Sequence, residues 1–187
     1  MREAGTPKPS ILDATLAAAI KDQQTVHSGA PIAKLIDGLT FRDSVTHLDE
    51  RGGVTEIFDP RWNWHPDPMV FCYSFSIRPG VVKGWNLHKL HEDRYFVVDG
   101  EMEVVMYDPR PDSTTCGQIC RVVLSAARPR IMNVPRFVWH ADHNIGSCDV
   151  RAINFPTIQY DHSSPDKYRL PLDTELIPFD FGGVKGW

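Results

Sequence analysis

Gly84-Trp85-Asn86-Leu87-His88-Lys89-Leu90-His91-Glu92-Asp93-Arg94-Tyr95-Phe96-Val97-Val98-Asp99-Gly100-Glu101 is the stretch that decides the fold. Ionisable side chains crowd in front of an apolar run, and the run ends in Asp-Gly. Tyr95–Val98 has the aromatic and β-branched texture of a strand. Asp99-Gly100 joins it to the apolar run Met102–Tyr107 and carries the sequence signature of a hairpin turn. About forty residues later comes a second histidine segment, Val134-Pro135-Arg136-Phe137-Val138-Trp139-His140-Ala141-Asp142-His143-Asn144. On neighbouring strands the two segments would aim several titratable groups into one cavity.

The texture on either side is β-rich from about residue 44. Further strands are expected at Val54–Phe58, Val70–Ile77, Ile119–Leu124, Arg130–Val134 and Val150–Phe155. Gly, Pro and Asp punctuate them at short intervals, the pattern of an all-β sandwich or barrel. Met102–Tyr107 is mostly apolar, so both of its faces are expected to be covered. Before this body, Ser10-Ile11-Leu12-Asp13 resembles a capping box with Asp in place of Glu or Gln. A helix is expected over about residues 10–24, with one or two more turns at Pro31–Gly38. The domain division is therefore a helical extension over 1–40 and a β domain over 41–187. The Pro- and Gly-rich tail from Tyr160 to Trp187 is expected to wrap the body as irregular structure.

The chain has 187 residues, enough for one domain with a sizeable core. Twenty basic and 24 acidic residues give a net charge of −4. No basic run suggests a nucleic-acid partner. No apolar stretch approaches the roughly 20 residues of a membrane span. The first residues lack the apolar centre of a signal peptide. The four cysteines form no Cys-x-x-Cys pair. A cytoplasmic protein with reduced thiols is the expectation.

Strand parity constrains the chemistry. Residues two apart share a face and residues three apart do not. His91 and Asp93 share a face; His88 and His91 do not, unless a turn or bulge intervenes. His140 and His143 also differ. A metal site built from His88, His91, Asp93 and His140 is right in residue type and awkward in parity. A second possibility is that His91 to Arg94 form a solvated loop. Metal-free proton chemistry needs fewer groups. A neutral imidazole at His88 can take a proton from carbon beside a carbonyl, because its ordinary pKa of about 6.5 lies near working pH. A carboxylate on its far nitrogen would fix the tautomer. Lys83, Arg94 or His140 would meet the developing enolate. Trp85 flanks the segment and is a candidate to stack on a ligand. Arg61–Pro68 reads as an aromatic loop packed on the barrel end. Trp139 is expected to face the core or a dimer interface. His27, His47, His65 and His162 read as surface or loop residues.

At these residues the chain resembles a cupin. Asp93, then six residues, then Gly100 is similar to the end of the first cupin motif, and Pro135-x4-His140-x3-Asn144 is similar to the second. More closely, about Ile36 to Phe181 resembles the dTDP-4-dehydrorhamnose 3,5-epimerase family of cupins. The matching pieces run in order: Thr46–Phe58, Lys83-Gly84 before His88, Asp99-Gly100-Glu101, Tyr107-Asp108-Pro109-Arg110, Ser113–Gly117, Val123-Leu124-Ser125, Val134-Pro135 with His140, and Asp173–Pro178. The resemblance implies an all-β cupin jelly roll behind a short helical extension. It implies an epimerase or isomerase of a keto sugar nucleotide, working without metal or cofactor as a homodimer. It places the base on His88, its dyad partner on Asp173 and the carbonyl-side histidine on His140. Substrate contacts would come from Lys83, Arg94, His140 and Trp85. The family's acid tyrosine has no counterpart in Cys148–Phe155, so the role falls to Tyr160. The alternatives are a metal-dependent, dioxygenase-like cupin and a non-catalytic ligand-binding cupin.

Overall fold

The computed structural model describes residues 10–20 and 34–186. The chain divides into two compact units, Met1–Lys34 and Leu35–Trp187. The boundary falls before residue 40 because Ile36 and Leu39 are already buried in the β core.

In the first unit the described residues form one helix, α1 (Ile11–Ala18). The Ser10 hydroxyl accepts from the Asp13 N–H, and the Asp13 carboxylate accepts from the Ser10 N–H, both at 3.1 Å. Asp thus completes the capping box despite its shorter side chain. The helix is shorter than expected: Ala19 turns to extended backbone. Residues 21–24 of the expected helix lie outside the described residues, as do residues 31–33 of the second expected helical segment. The described part of that segment is a turn instead. There the Asp37 N–H bonds to the Thr115 hydroxyl at 2.9 Å, and Gly38 takes a positive φ.

The second unit is built from thirteen strands among the described residues. They are β1 (Thr40–Asp43), β2 (Thr46–Asp49), β3 (Gly52–Thr55), β4 (Tyr73–Ile77), β5 (Val81–Leu87), β6 (Asp93–Asp99) and β7 (Glu101–Tyr107). Then follow β8 (Ile119–Ser125), β9 (Arg130–Val134), β10 (Trp139–Asn144), β11 (Val150–Asn154), β12 (Tyr168–Arg169) and β13 (Lys185–Gly186). One sheet has the order β1-β9-β6-β11-β4. The other has the order β12-β5-β10-β7-β8, with β13 also on β5. β2 and β3 form a separate ribbon. The two large sheets enclose the main core, which includes Tyr95, Met102, Val104, Met106, Val122, Met132 and Val150.

Asp99-Gly100 is not a hairpin. β6 and β7 belong to different sheets, so this turn is a corner between them. Gly100 has φ +80, and a Cβ there would lie 3.2 Å from the Asp149 carbonyl and from Val150. Close approach to the start of β11, rather than strand pairing, is what requires glycine.

β7 is buried on both faces. Val105 points away from the main core into a second cluster with Val82, Trp85, Ala141 and Ile177, against which Phe179 and Phe181 pack. The tail, irregular except where β12 and β13 pair with β5, therefore covers the outer face of β5, β10 and β7. β5 and β10 approach closely at Gly84, where a Cβ would stand 2.5 Å from the Ala141 Cβ and 2.9 Å from the His140 carbonyl. Gly84→Ala is expected to cost about 3 kcal/mol or more, because backbone would have to move to admit the methyl. Urea unfolding of the two proteins measures this.

Candidate active site

β5 ends at Leu87 and β6 begins at Asp93, and the turn between them decides the site. Parity would put His88 and His91 on opposite sides of one strand. The turn at Lys89 and Leu90 instead brings both rings inward, with centroids 4.1 Å apart. The turn is anchored by the tail: the Lys89 and Leu90 N–H groups donate to the Asp166 carboxylate at 3.0 and 2.7 Å. Asp166 then holds both rings. Its carbonyl accepts from His88 Nδ1 at 2.5 Å, and its carboxylate accepts from His91 Nδ1 at 2.9 Å. A carbonyl only accepts, so His88 Nδ1 carries a proton.

At the centre is Asp93, buried to 3% exposure. His88 Nε2 lies 3.1 Å from its Oδ2, His140 Nε2 lies 3.5 Å from the same oxygen, and His91 Nε2 lies 3.5 Å from Oδ1. The Tyr95 hydroxyl donates to Oδ2 at 2.9 Å, and the Asn154 amide donates to Oδ1 at 2.7 Å. Burial works against a charge on Asp93. The His88 charge and the hydrogen bonds around it nevertheless hold its carboxyl well below the ordinary range. Burial also works against a charge on His88, but Asp93 beside it raises the imidazole above its ordinary value. With Nδ1 already a donor, the 3.1 Å contact is an imidazolium–carboxylate hydrogen bond.

His88, Asp93 and His140 bring potential ligand atoms within 4.8 Å of one another, as do His88, His91 and Asp166. An ion among the first three would compete with the Tyr95, Asn154 and His88 donors for the Asp93 oxygens. This hydrogen-bond pattern suits a shared proton better than a cation.

A cavity of about 600 Å³ opens on His88 and His91. Its walls include Phe71 and Tyr73 from before and within β4, and Tyr160, Asp166, Lys167 and Arg169 from the tail. Phe71 and Tyr160 stack, with centroids 6.4 Å apart. Burial lowers Lys167 below the ordinary lysine value, and Arg169 nearby adds to the effect. The Tyr73 hydroxyl accepts from Asn154, which also donates to Asp93, so the aromatic wall and the buried carboxylate share one amide.

Several residues singled out in the sequence lie elsewhere. Asp173 lines a separate cavity with Asp180 and Phe181, and both His88 nitrogens face other partners. The tail residue that reaches His88 is Asp166, seven residues before Asp173; its carbonyl meets the ring and its carboxylate caps the turn. Arg94 is fully buried. It donates to the carbonyls of Asp67, Pro68 and Phe155, so it clamps a loop rather than meeting substrate. Trp85 is fully buried against Phe179 and Phe181. Lys83 is exposed on β5, opposite Asp142 in register. His140 stands behind Asp93, its ring 5.4 Å from that of His88. Trp139 packs beneath the tail, and Trp64 of the Arg61–Pro68 loop packs on Phe96, Ile131 and Phe155. His65 lies in a loop, as expected, but is not at the surface: its side chain is 6% exposed and bonds to Glu92 at 3.0 Å. The stretch His91 to Arg94 is buried structure, not a solvated loop.

Sequence reading passed over Asp142, Asp166, Lys167 and Tyr73. Asp142 had a signal: it is two residues from His140 on β10 and so shares its inward face. It is 4% exposed, and burial pushes its carboxyl up to about 6. Its folded pKa is raised, so the folded state holds the proton more tightly. Stability is therefore lost as pH rises from the unfolded value toward 6, and the loss persists above it. Asp142→Asn is expected to gain up to about 3 kcal/mol at pH 8 and little at pH 4. Chemical denaturation at the two pH values checks this.

The family model described as dTDP-4-dehydrorhamnose 3,5-epimerase matches residues 33–147. A probable low-salt glycan biosynthesis epimerase, Agl13 of Haloferax volcanii, is 34% identical over 148 residues, covering 78% of this chain and 94% of that protein. The spore coat polysaccharide biosynthesis protein SpsL of Bacillus subtilis is 31% identical over 147 residues, covering 79% and 97%. Among solved structures, a dTDP sugar isomerase from Desulfovibrio desulfuricans superposes with a TM-score of 0.73 at 25% identity, covering 81% of this chain and 96% of that one. A Legionella pneumophila RmlC in complex with dTDP-4-keto-L-rhamnose shares the fold, with a TM-score of 0.64 at 24% identity over 74% and 76% of the two chains.

Proposed function

The chain belongs to the dTDP-4-dehydrorhamnose 3,5-epimerase family, and we propose that it moves protons at carbon beside the carbonyl of a keto sugar nucleotide, with His88 as the acid–base residue. The observation that carries this reading is the His88–Asp93 pair at 3.1 Å on the wall of the cavity. A buried carboxylate that stabilises the imidazolium makes His88 a stronger base once it has lost its proton. The Asp166 carbonyl holds Nδ1, the orienting place that sequence resemblance gave to Asp173, so Nε2 is the atom that trades a proton with carbon and must turn from Asp93 toward the substrate to do so.

The rest of the cavity suits such a substrate. Lys167 and Arg169 offer positive charge to an enolate oxygen or a diphosphate. Phe71, Tyr73 and Tyr160 present aromatic surface to a sugar or a base. Tyr160 stands on the same cavity as His88 and remains the tyrosine proposed as proton donor. The reading carries two finer expectations, a homodimer and a cytoplasmic setting. Four free cysteines among the described residues agree with the second. No helix of the described residues is long and apolar enough to cross a membrane. The test is uptake of solvent deuterium into nucleotide-linked 4-keto-6-deoxyhexoses.

A further inference from the structure

One side-chain amide ties the cavity wall to the buried carboxylate. Asn154 donates to the Tyr73 hydroxyl at 2.9 Å and to Asp93 Oδ1 at 2.7 Å. Tyr73 and Asn154 are partners in the β4–β11 register, so the phenol is aligned by the strand beside it. Its oxygen is held, whereas its proton meets no acceptor among the described residues. That proton is free for a group in the cavity, which Tyr73 lines together with His88. Tyr160 is held by its ring instead, stacked on Phe71 and edge-on to His162, and no hydrogen bond fixes its hydroxyl among the described residues. The base and the Tyr73 hydroxyl come from different sheets: His88 follows β5 in one, and Tyr73 opens β4 in the other. Inversion of a carbon requires a proton to leave one face and another to arrive on the opposite face, and groups from the two sheets suit that geometry. Burial and the Asp93 charge raise the Tyr73 phenol well above its ordinary value, so it keeps its proton at working pH.

We propose that Tyr73 is a proton donor of this site, held in place by Asn154, and that it protonates the face of the carbon away from His88. The inference rests on the proton-transfer reading above and sets an anchored hydroxyl beside that of Tyr160. His88 Nε2, neutral and turned from Asp93, takes the proton from carbon beside the carbonyl. That C–H pair becomes the double bond of an enolate, and the carbonyl π pair moves onto its oxygen. The oxygen pair then re-forms the carbonyl, and the double-bond pair takes the Tyr73 proton on the other face. The carbon is now inverted, His88 is charged and Tyr73 is a phenolate that still accepts from the Asn154 amide. His88 gives a proton to solvent and Tyr73 takes one from it, which restores both groups. One proton leaves carbon and one arrives, so no oxidant or reductant takes part.

The test follows a nucleotide-linked 4-keto-6-deoxyhexose in D2O by proton NMR, which reads two events separately: deuterium entering beside the carbonyl, and formation of the inverted sugar. The wild type is expected to show both. Without the donor, His88 still removes the proton and returns deuterium to the same face. Tyr73→Phe is therefore expected to keep exchange near the wild-type rate and to lose inversion by about 100-fold. Tyr160→Phe is expected to lose less inversion than Tyr73→Phe. Tyr73→3-fluorotyrosine keeps the ring, the hydroxyl and the Asn154 contact with a more acidic phenol. It is expected to change the ratio of inversion to exchange, and it covers the case in which Tyr73→Phe fails to fold. Inversion at the wild-type rate in Tyr73→Phe overturns the proposal, as does a larger loss in Tyr160→Phe or an unchanged ratio in the fluorotyrosine variant. Exchange without any inversion in the wild type overturns it too and leaves His88 as the base. Absence of exchange at every carbon in the wild type contradicts the proton-transfer reading itself, and this inference with it.

Discussion

Asp93→Ala is expected to lose about 3–5 kcal/mol of stability, because it removes one partner of a buried charge pair and leaves the other uncompensated. For a chain of this length that corresponds to a fall of roughly 10 °C in Tm. The carboxylate receives hydrogen bonds from Tyr95 and Asn154 and faces the Nε2 atoms of His88, His91 and His140. Each of these groups would be left pointing into a small void. The pH dependence follows from both partners. Asp93 is depressed in the folded state, so its contribution is present above the ordinary carboxyl value and is lost as pH falls through the folded value. His88 is raised, so its contribution is complete below 6.5 and is lost as pH rises through its folded value. The stability gap between wild type and Asp93→Ala is therefore widest between about pH 4 and 6.5 and narrows at higher pH. Calorimetric scans across that range, with circular dichroism to verify the fold, measure it.

His88→Asn is expected to lower proton exchange at carbon by about a thousandfold, within the range that a positioned acid–base group contributes. Asparagine keeps a donor that can reach the Asp166 carbonyl, so loss of exchange would report loss of the imidazole rather than collapse of the turn. Because the folded pKa of His88 is raised, its basic form is scarce at low pH. Wild-type exchange should rise with pH and level off above 6.5, and His88→Asn should lose that profile.

Much of the fold was legible because its scaffold strands are conventional. Ile119–Leu124, Arg130–Val134 and Met102–Tyr107 carry apolar residues wherever a core face requires them. β5 and β10 lack the apolar alternation that marks the bounds of a strand, and the reason is chemical. Their inward positions hold Asn86, His140, Asp142 and Asn144, so the polar groups of the site break the pattern that announces a strand. The same trade misled the reading of parity. His88 and His91 looked incompatible because a continuous strand was assumed, whereas Lys89-Leu90 makes a turn stabilised from 76 residues away by Asp166. No local signal in the sequence distinguishes Asp166 from Asp173 in an irregular tail. Arg94 and Trp85 looked like ligand contacts by type and position, but backbone carbonyls and the tail's aromatic rings claim them.

Proton NMR of a nucleotide-linked 4-keto-6-deoxyhexose in D2O, run with wild type and with His88→Asn, tests most directly whether His88 transfers protons at carbon. The wild type is expected to exchange hydrogen beside the carbonyl, and the variant about a thousandfold more slowly. No exchange by the wild type, or equal exchange by a folded His88→Asn protein, would contradict it.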